Sequence, residues 1–463
     1  MALTLRRFFS VSGWTFLSRL TGFLNVALLG AVLGLTPESD AFMVANVLPN
    51  IIYEIVLGGF VSSVFLPMFA RRRATLPTLE YRREASQLVV SLTCALLLLS
   101  IFAALLATPA VAMMTLGDTP ETTRLLAADF FRIFAFQIVF YGLTSLTGAI
   151  LNAEGRFTIA AAAPVINNVI VAITLGIYAG MSHLGLQPAL ARTILAIGVT
   201  AGVAAMAIAQ LYGLRRAGWS LDVGRPRLNH PLLREALLLG LPVIALVVIQ
   251  QIALAVRSNL ATSIPGGFTA LQHVFRFFQL PYGILAVTVA TLAMPGLAGL
   301  SARGDHEGVR LGARRAIVWT IAMMLPVSIA YALLAPILMQ LLMSWGRMGT
   351  DGAQLLGELL VFYGLAVFPY SILMLVVRIF YALADTRTPV MLLAATNVIS
   401  IMGCLWLFPV AGLHGMAMAM LITYGLGASA ALMLLLRRSR IAESSPSPPT
   451  QSPDSRNGIT AST

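Results

Sequence analysis

Asn46, Asn50, Glu54, Gly58 and Ser62 recur every four residues within a stretch otherwise rich in Ile, Val, Leu and Phe. On a helix that interval keeps them on one slowly drifting face, with Pro49 loosening the backbone beside it. Such a face either looks into a cavity or forms a packing stripe in which Glu54 is neutral or paired. Ser18, Gly22 and Asn25 share another helical face, with Arg19 as its neighbour. Further along, Gln250 and Arg257 lie seven apart, and Gln272, Arg276, Gln279 and Gly283 follow the spacing of three and four that aligns residues on a helix. Two roles fit Arg257, since it either faces inward with Gln250 or snorkels to the interface near the Pro265–Gly266 turn. Two also fit Asp40, which either caps its own helix with Ser39 or pairs across a closed outer gate. Together Arg19, Arg257 and Arg276 suit an anion. The planar guanidinium matches phosphate or carboxylate, and its attraction strengthens once water is displaced.

The elements that must carry these residues are membrane-spanning helices. Of 463 residues, 58% are hydrophobic and 10% charged, and the mean hydropathy is +0.88. A soluble surface needs more charge than that. The apolar runs are too long and too continuous for strands of a β-barrel, whose segments are about 10 residues and alternate in polarity. Predicted spans, with helices needing about 20 apolar residues each, are 9–35, 41–70, 86–115, 125–151, 157–180, 188–213, 232–262, 268–300, 312–344, 352–381, 388–409 and 412–436. The fold class is therefore all-α and polytopic, with about twelve crossings. All 30 basic residues are arginine, against 18 acidic residues, for a net charge of +12. They cluster at alternate connections: Arg71–Arg73 with Arg82 and Arg83, Arg215 and Arg216 with Arg225 and Arg227, Arg303 with Arg310, Arg314 and Arg315, then Arg387, then Arg437, Arg438 and Arg440. That alternation is the positive-inside pattern. It puts both termini in the cytoplasm and makes the charge a topology signal rather than a nucleic-acid site.

The break around 215–231 divides the chain into an N-terminal lobe over 1–214 and a C-terminal lobe over 232–440, each of six helices. A Ser/Pro/Thr-rich tail over 441–463 is expected to be disordered and cytoplasmic. Ala153–Phe157 and Ala384–Pro389 each pair an acidic with a basic residue before the fifth span of their half, an echo of internal duplication. No phosphate-binding Gly-Lys-Ser/Thr loop, zinc-binding His-Glu-x-x-His helix or nucleophile triad is present. Cys94 and Cys404 sit in apolar runs without ligand spacing. The sequence thus points to no enzyme, metal or cofactor. Movement of a substrate would draw on a cation gradient, the membrane potential or the substrate's own gradient.

Ser18-Arg19-x-x-Gly22-Phe23, Ser39-Asp40-Ala41-Phe42, Leu48-Pro49-Asn50, Gly59-Phe60 and Phe65-Leu66-Pro67 occur in that order. With Arg276, Gln279-Leu280-Pro281-x-Gly283 and Phe380–Pro389, they resemble the MviN-type lipid II flippases of the multidrug/oligosaccharidyl-lipid/polysaccharide exporter superfamily. The resemblance runs over residues 5–436. It implies two six-helix lobes forming a V around a central cavity, with alternating access. The implied substrate is lipid II, a polyprenyl-pyrophosphate-linked peptidoglycan precursor, carried from the inner to the outer leaflet of the bacterial cytoplasmic membrane with no bond made or broken. Arg19, Asp40 and Arg276 match charged residues of the family's cavity or gate. Membrane lipids and cell-wall synthesis proteins would be its partners.

The chain departs from that pattern at several positions. Asn25 and Tyr53 stand where arginine is usual, Val47 and Gly58 where charge is common, and Arg257 where an acid is frequent. Family members tend to have fourteen spans, so a twelve-span chain lacks a terminal pair associated with the lipid tail. Two other functions remain open: export of another polyprenyl-linked glycan or anionic lipid, and a non-transporting scaffold for envelope assembly.

Overall fold

The computed structural model describes residues 2–58, 65–219 and 231–444, and every regular element among them is helical. The first half comprises α1 (Ala2–Leu33), α2 (Pro37–Tyr53), α3 (Leu66–Thr75), α4 (Thr78–Leu105), α5 (Ala107–Ala112), α6 (Glu121–Phe134), α7 (Gln137–Ala153), α8 (Phe157–His183) and α9 (Pro188–Arg216). The second comprises α10 (Pro231–Ala261), α11 (Gly267–Pro281), α12 (Val287–Ala302), α13 (His306–Met343), α14 (Gly349–Ala382) and α15 (Arg387–Ser444). Among the described residues nine helices are long and apolar enough to cross a membrane, or ten when the bent pair α6–α7 is taken as one crossing. With backbone polar groups satisfied inside each helix, this is an all-α polytopic membrane protein.

Several boundaries differ from the sequence reading. The expected span 125–151 is broken by a bend of 41° between α6 and α7. No proline or glycine stands at Ala135–Phe136, and the bend instead accompanies packing of Phe130 and Phe134 edge-on against Phe42 of α2. The spans 388–409 and 412–436 run together as α15, interrupted at Ala411 and at Gly412, whose φ of 53° is left-handed. Helix α15 also continues through Ser444, past the expected start of the tail; the rest of the tail lies outside the described residues, as do residues 220–230 of the expected linker. The four-residue polar series on the second span is not carried by one continuous α-helix. At Glu54 the backbone widens into a π-helical turn, Glu54–Gly58, and Ser62 falls outside the described residues. An equivalent π-helical turn, Tyr282–Ala286, succeeds Pro281 between α11 and α12. Wider turns of this kind rotate the next stretch of helix relative to an α-helical register.

The turn pairs echoed in sequence have one geometry. After α7, Arg156 N donates to Leu151 O while Gly155 takes φ 73°; after α14, Asp385 N donates to Phe380 O while Ala384 takes φ 57°. Both are helix C-terminal turns closed by a left-handed residue. The Asp385 carboxylate then accepts from Thr388 N at 3.1 Å, from Thr388 Oγ1 at 2.9 Å and from Arg438. Burial alone would raise its pKa, but these donors outweigh burial and hold it below the usual carboxylate value. The other arginine-rich turns are similarly tied. Arg72 pairs with Glu84, Arg73 with Glu154 at 3.5 Å, and Arg82 donates to Gly218 O at 2.7 Å while lying over Trp219. At the opposite end Arg192 and Arg347 both approach Glu38, at 2.8 and 4.0 Å.

Packing is mainly within each half: α1 along α8, α8 along α9 and α2 against α6, then α13 along α14 and α14 along α15. Hydrogen bonds joining the halves cluster at the end away from the arginine-rich turns. There Asn259 Nδ2 donates to Met113 O at 2.9 Å, the hydroxyls of Thr119 and Thr262 meet at 2.7 Å, and Asp40 meets the start of α11.

Candidate functional site

Between the halves lies a cavity of about 580 Å³, within the range of pockets that hold drug-sized ligands (about 300–1,000 Å³). Helix α2 contributes Asn46 and Asn50, α10 contributes Gln250 and Arg257, and α11 contributes Gln272 and Arg276. These six are the expected cavity residues that the fold brings together. Arg276 is exposed to the cavity, with Tyr141 of α7 also in the lining. Arg257 faces inward rather than snorkelling outward, and its Nη1 donates to Ser400 Oγ at 3.3 Å. Among the described residues the lining holds no carboxylate, so the two guanidinium groups are unopposed there. A cavity with that charge attracts an anion able to accept charge-assisted hydrogen bonds.

The other four expected residues lie outside this lining. Asn25 turns away from the cavity toward α8, where its Nδ2 donates to Asn168 O at 2.9 Å. Asn168 Nδ2 reciprocates, donating to Ser18 O and Thr21 Oγ1, both at 3.0 Å. The polar face predicted on α1 is thus a helix-packing seam. Asn168→Leu is expected to lower stability by about 0.6–1.7 kcal/mol, the usual worth of an interhelical hydrogen bond in a membrane protein. Thermal unfolding in detergent checks this, and an unchanged midpoint would contradict the seam. Glu54 and Gln279 sit one turn beyond the cavity lining, toward the arginine-rich end, because the series on each helix extends past the enclosed volume. Glu54 is half-buried, and its carboxylate has no hydrogen-bond partner among the described residues. Arg19 lies against the second π-helical turn, close enough that a Cβ on Gly283 would fall 2.7 Å from its Nη1. Arg378 is half-buried beside Tyr282 and Tyr370.

Asp40 does not cap its own helix. Thr36 does so, its Oγ1 accepting from Ser39 N at 3.2 Å while Thr36 N donates to Ser39 Oγ at 3.0 Å. The Asp40 side chain, 1% exposed, instead reaches the N-terminus of α11. It accepts from Gly266 N at 2.7 Å and from Thr269 N and Oγ1, both at 2.8 Å. A carboxylate at the positive end of a helix macrodipole is well placed electrostatically. Gly266, at φ 76°, is required there because a Cβ would meet the Leu35 backbone at 2.4 Å. His273 of α11 adds a second tie, with Nδ1 2.8 Å from Thr269 O and Nε2 3.2 Å from Val26 O of α1.

Sequence reasoning missed the far wall of the cavity. Tyr363 and Tyr370 of α14 and Thr396, Asn397, Ser400, Thr423 and Tyr424 of α15 all line it. The seven-residue interval of the tyrosines and the Thr396, Asn397, Ser400 series carried the signal, but single Thr, Ser and Tyr residues are ordinary in membrane helices. Among the described residues no three His, Cys, Asp or Glu side chains converge as a metal site would require.

Residues 29–447 match the family described as "Lipid II flippase MurJ". A protein of Rhizobium meliloti (strain 1021) called a probable lipid II flippase MurJ is 28% identical over 422 residues, covering 90% of this chain and 78% of the relative. One of Burkholderia cenocepacia, called lipid II flippase MurJ, is 27% identical over 459 residues, covering 95% and 85%. Among solved structures, an inward closed lipid II flippase MurJ superposes with a TM-score of 0.76 at 21% identity, covering 93% of this chain and 89% of that one. An inward-facing multidrug resistance MATE family transporter of the MOP superfamily gives 0.76 at 17% identity, covering 91% and 95%. At those identities the two structures establish the shared fold.

Proposed function

Because this chain belongs to the lipid II flippase MurJ family, as a divergent member and a secondary transporter rather than an ATP-hydrolysing enzyme, we propose that it carries lipid II from the inner to the outer leaflet of the bacterial cytoplasmic membrane. The observation that carries this reading is the pair Arg257 and Arg276 in a cavity whose described lining holds no carboxylate. The arginines hold the pyrophosphate while the polyprenyl chain stays in the bilayer. Transport is then an exchange of access, with no covalent step. Where the family pattern leads one to expect further arginines, Asn25 bonds α8 and Tyr53 Oη meets Ser145 Oγ at 2.5 Å. The cationic character is therefore carried by α10 and α11.

The transporter consists of two six-helix lobes, 1–214 and 232–440, with both termini in the cytoplasm. Taking α10 as a crossing and α15 as two raises the ten apolar crossings to twelve. The matching π-helical turns after α2 and after α11, and the matching turns after α7 and α14, support duplication of one lobe. Asp40 is the outer gate, and its bonds to α11 support a state closed on the periplasmic side. Arg19, Glu54 and Gln279 form a lower tier that a substrate meets on its way from the cytoplasmic side. A cation gradient or the membrane potential biases the cycle. Cell-wall synthesis proteins are the partners that supply and remove such a substrate.

Reconstitution in liposomes tests this reading. With the full chain present, lipid II headgroups placed in the inner leaflet become accessible outside faster than in protein-free vesicles. Movement of a different polyprenyl-linked glycan in place of lipid II would retain the transporter and replace its cargo. Normal cell-wall assembly in cells expressing a variant lacking Arg19, Arg257 and Arg276 would favour the scaffold instead.

A further inference from the structure

The wall opposite α2 has a chemistry that phosphate binding does not use. Tyr363, Tyr370 and Tyr424 line the cavity, and behind them lies Phe278, fully buried. The Phe278 centroid is 5.7, 5.0 and 5.8 Å from those three rings, and Tyr370 and Tyr424 are 4.8 Å apart. Contacts at these separations hold the rings in place as a platform. The hydroxyls of all three have no hydrogen-bond partner among the described residues. The tyrosine hydroxyls, unpaired and on the cavity wall, are the groups left for a ligand to bond. Asn397 donates to Leu393 O at 2.8 Å, which leaves its carbonyl oxygen as an acceptor facing this neighbourhood.

Aromatic rings bordered by uncharged donors and acceptors suit a pyranose. A sugar ring offers apolar C–H groups on its faces and hydroxyls around its rim. A polyprenyl chain would leave the rim groups unpaired. A planar base would need a slot between parallel rings, whereas Tyr370 is inclined by 56° to Tyr424 and by 65° to Tyr282. Arg257 joins this wall to the cationic side of the cavity, because its Nη1 bonds Ser400 on the same stretch of α15.

We propose that Tyr363, Tyr370 and Tyr424 form a carbohydrate subsite, which seats the sugar next to the pyrophosphate held by Arg257 and Arg276. This rests on the lipid-pyrophosphate reading above and assigns a separate part of the substrate to a separate wall. The cavity thereby distinguishes a glycosylated carrier from the bare polyprenyl pyrophosphate left after sugar transfer.

Equilibrium binding to the purified full chain in nanodiscs tests it, with two probes: a polyprenyl pyrophosphate, and the same lipid bearing one pyranose on its terminal phosphate. Wild type is expected to prefer the glycosylated probe by about tenfold, the combined worth of a ring contact and a net hydrogen bond. In a Tyr370→Leu/Tyr424→Leu variant that ratio falls to near one. A Tyr370→Phe/Tyr424→Phe variant preserves packing if the leucine pair does not fold, and its ratio falls part-way. Arg276→Gln weakens both probes and keeps their ratio. Full preference in the tyrosine variants, or equal wild-type affinity for both probes, overturns the subsite but leaves the carrier reading intact. Failure of wild type to bind either probe overturns both.

Discussion

Arg276→Gln is expected to reduce lipid II translocation in proteoliposomes by roughly 10- to 100-fold, the effect of losing hydrogen bonds to a charged partner worth about 1.5–3 kcal/mol. The side chain lies on α11 with its guanidinium in the cavity, and no carboxylate in the described lining competes for it. Arg276→Lys retains charge but loses the fork that can engage two phosphate oxygens, so it should recover only part of the rate. Arg257→Gln should cost less, because Arg257 already spends one donor on Ser400 Oγ. Reversal of charge in Arg276→Glu should remove transport altogether, since a carboxylate there repels the pyrophosphate within a confined site. Measuring initial rates at equal protein incorporation separates these variants. Wild-type rates for Arg276→Gln would remove the electrostatic basis of the mechanism.

How much of this was legible depends on what each residue's neighbours decide. Continuous apolar runs and alternating arginine clusters determine which segments cross and which connections share a side, so the helical architecture follows from local chemistry. The 3–4 spacing on α11 puts Gln272 and Arg276 on one face whatever packs against it, and both line the cavity. The same rule finds the shared face of Ser18, Gly22 and Asn25, but not the direction in which it points. The rotation of α1 against α8 sets that, and Asn168, more than 140 positions away, completes the seam. Spacing also marks the series through Glu54 without revealing that the helix widens there. The bend between α6 and α7 has no proline or glycine signature because aromatic packing from α2 accompanies it. The tyrosine wall was hidden for another reason. Its members are commonplace singly and become a site only when α14 and α15 are set side by side against α11.

Asp40→Ala should shift the transporter away from its outwardly closed state and slow the cycle by a comparable or larger factor. In the structure three donors, Gly266 N, Thr269 N and Thr269 Oγ1, converge on one buried carboxylate. Deleting the acceptor strands them, and each unpaired buried group costs about 1–3 kcal/mol, while opening lets water reach them. Even the loss of a single helix cap, about 1 kcal/mol, displaces the equilibrium several-fold. Asp40→Asn retains one acceptor oxygen but no charge to meet the α11 dipole, so its effect should be intermediate. The position of the gate can be read independently of transport. Thr119 and Thr262 face each other across the halves with hydroxyls 2.7 Å apart. Cysteines at those two positions, in a background with Cys94 and Cys404 replaced, should form a disulfide readily when Asp40 is present. Asp40→Ala should slow that cross-link by about the same factor as it depopulates the closed state, whereas Arg276→Gln should leave it unaffected without substrate. Equal cross-linking with and without the Asp40 carboxylate would mean that the other contacts at this end hold it shut unaided, and the gate would have to be reassigned to them.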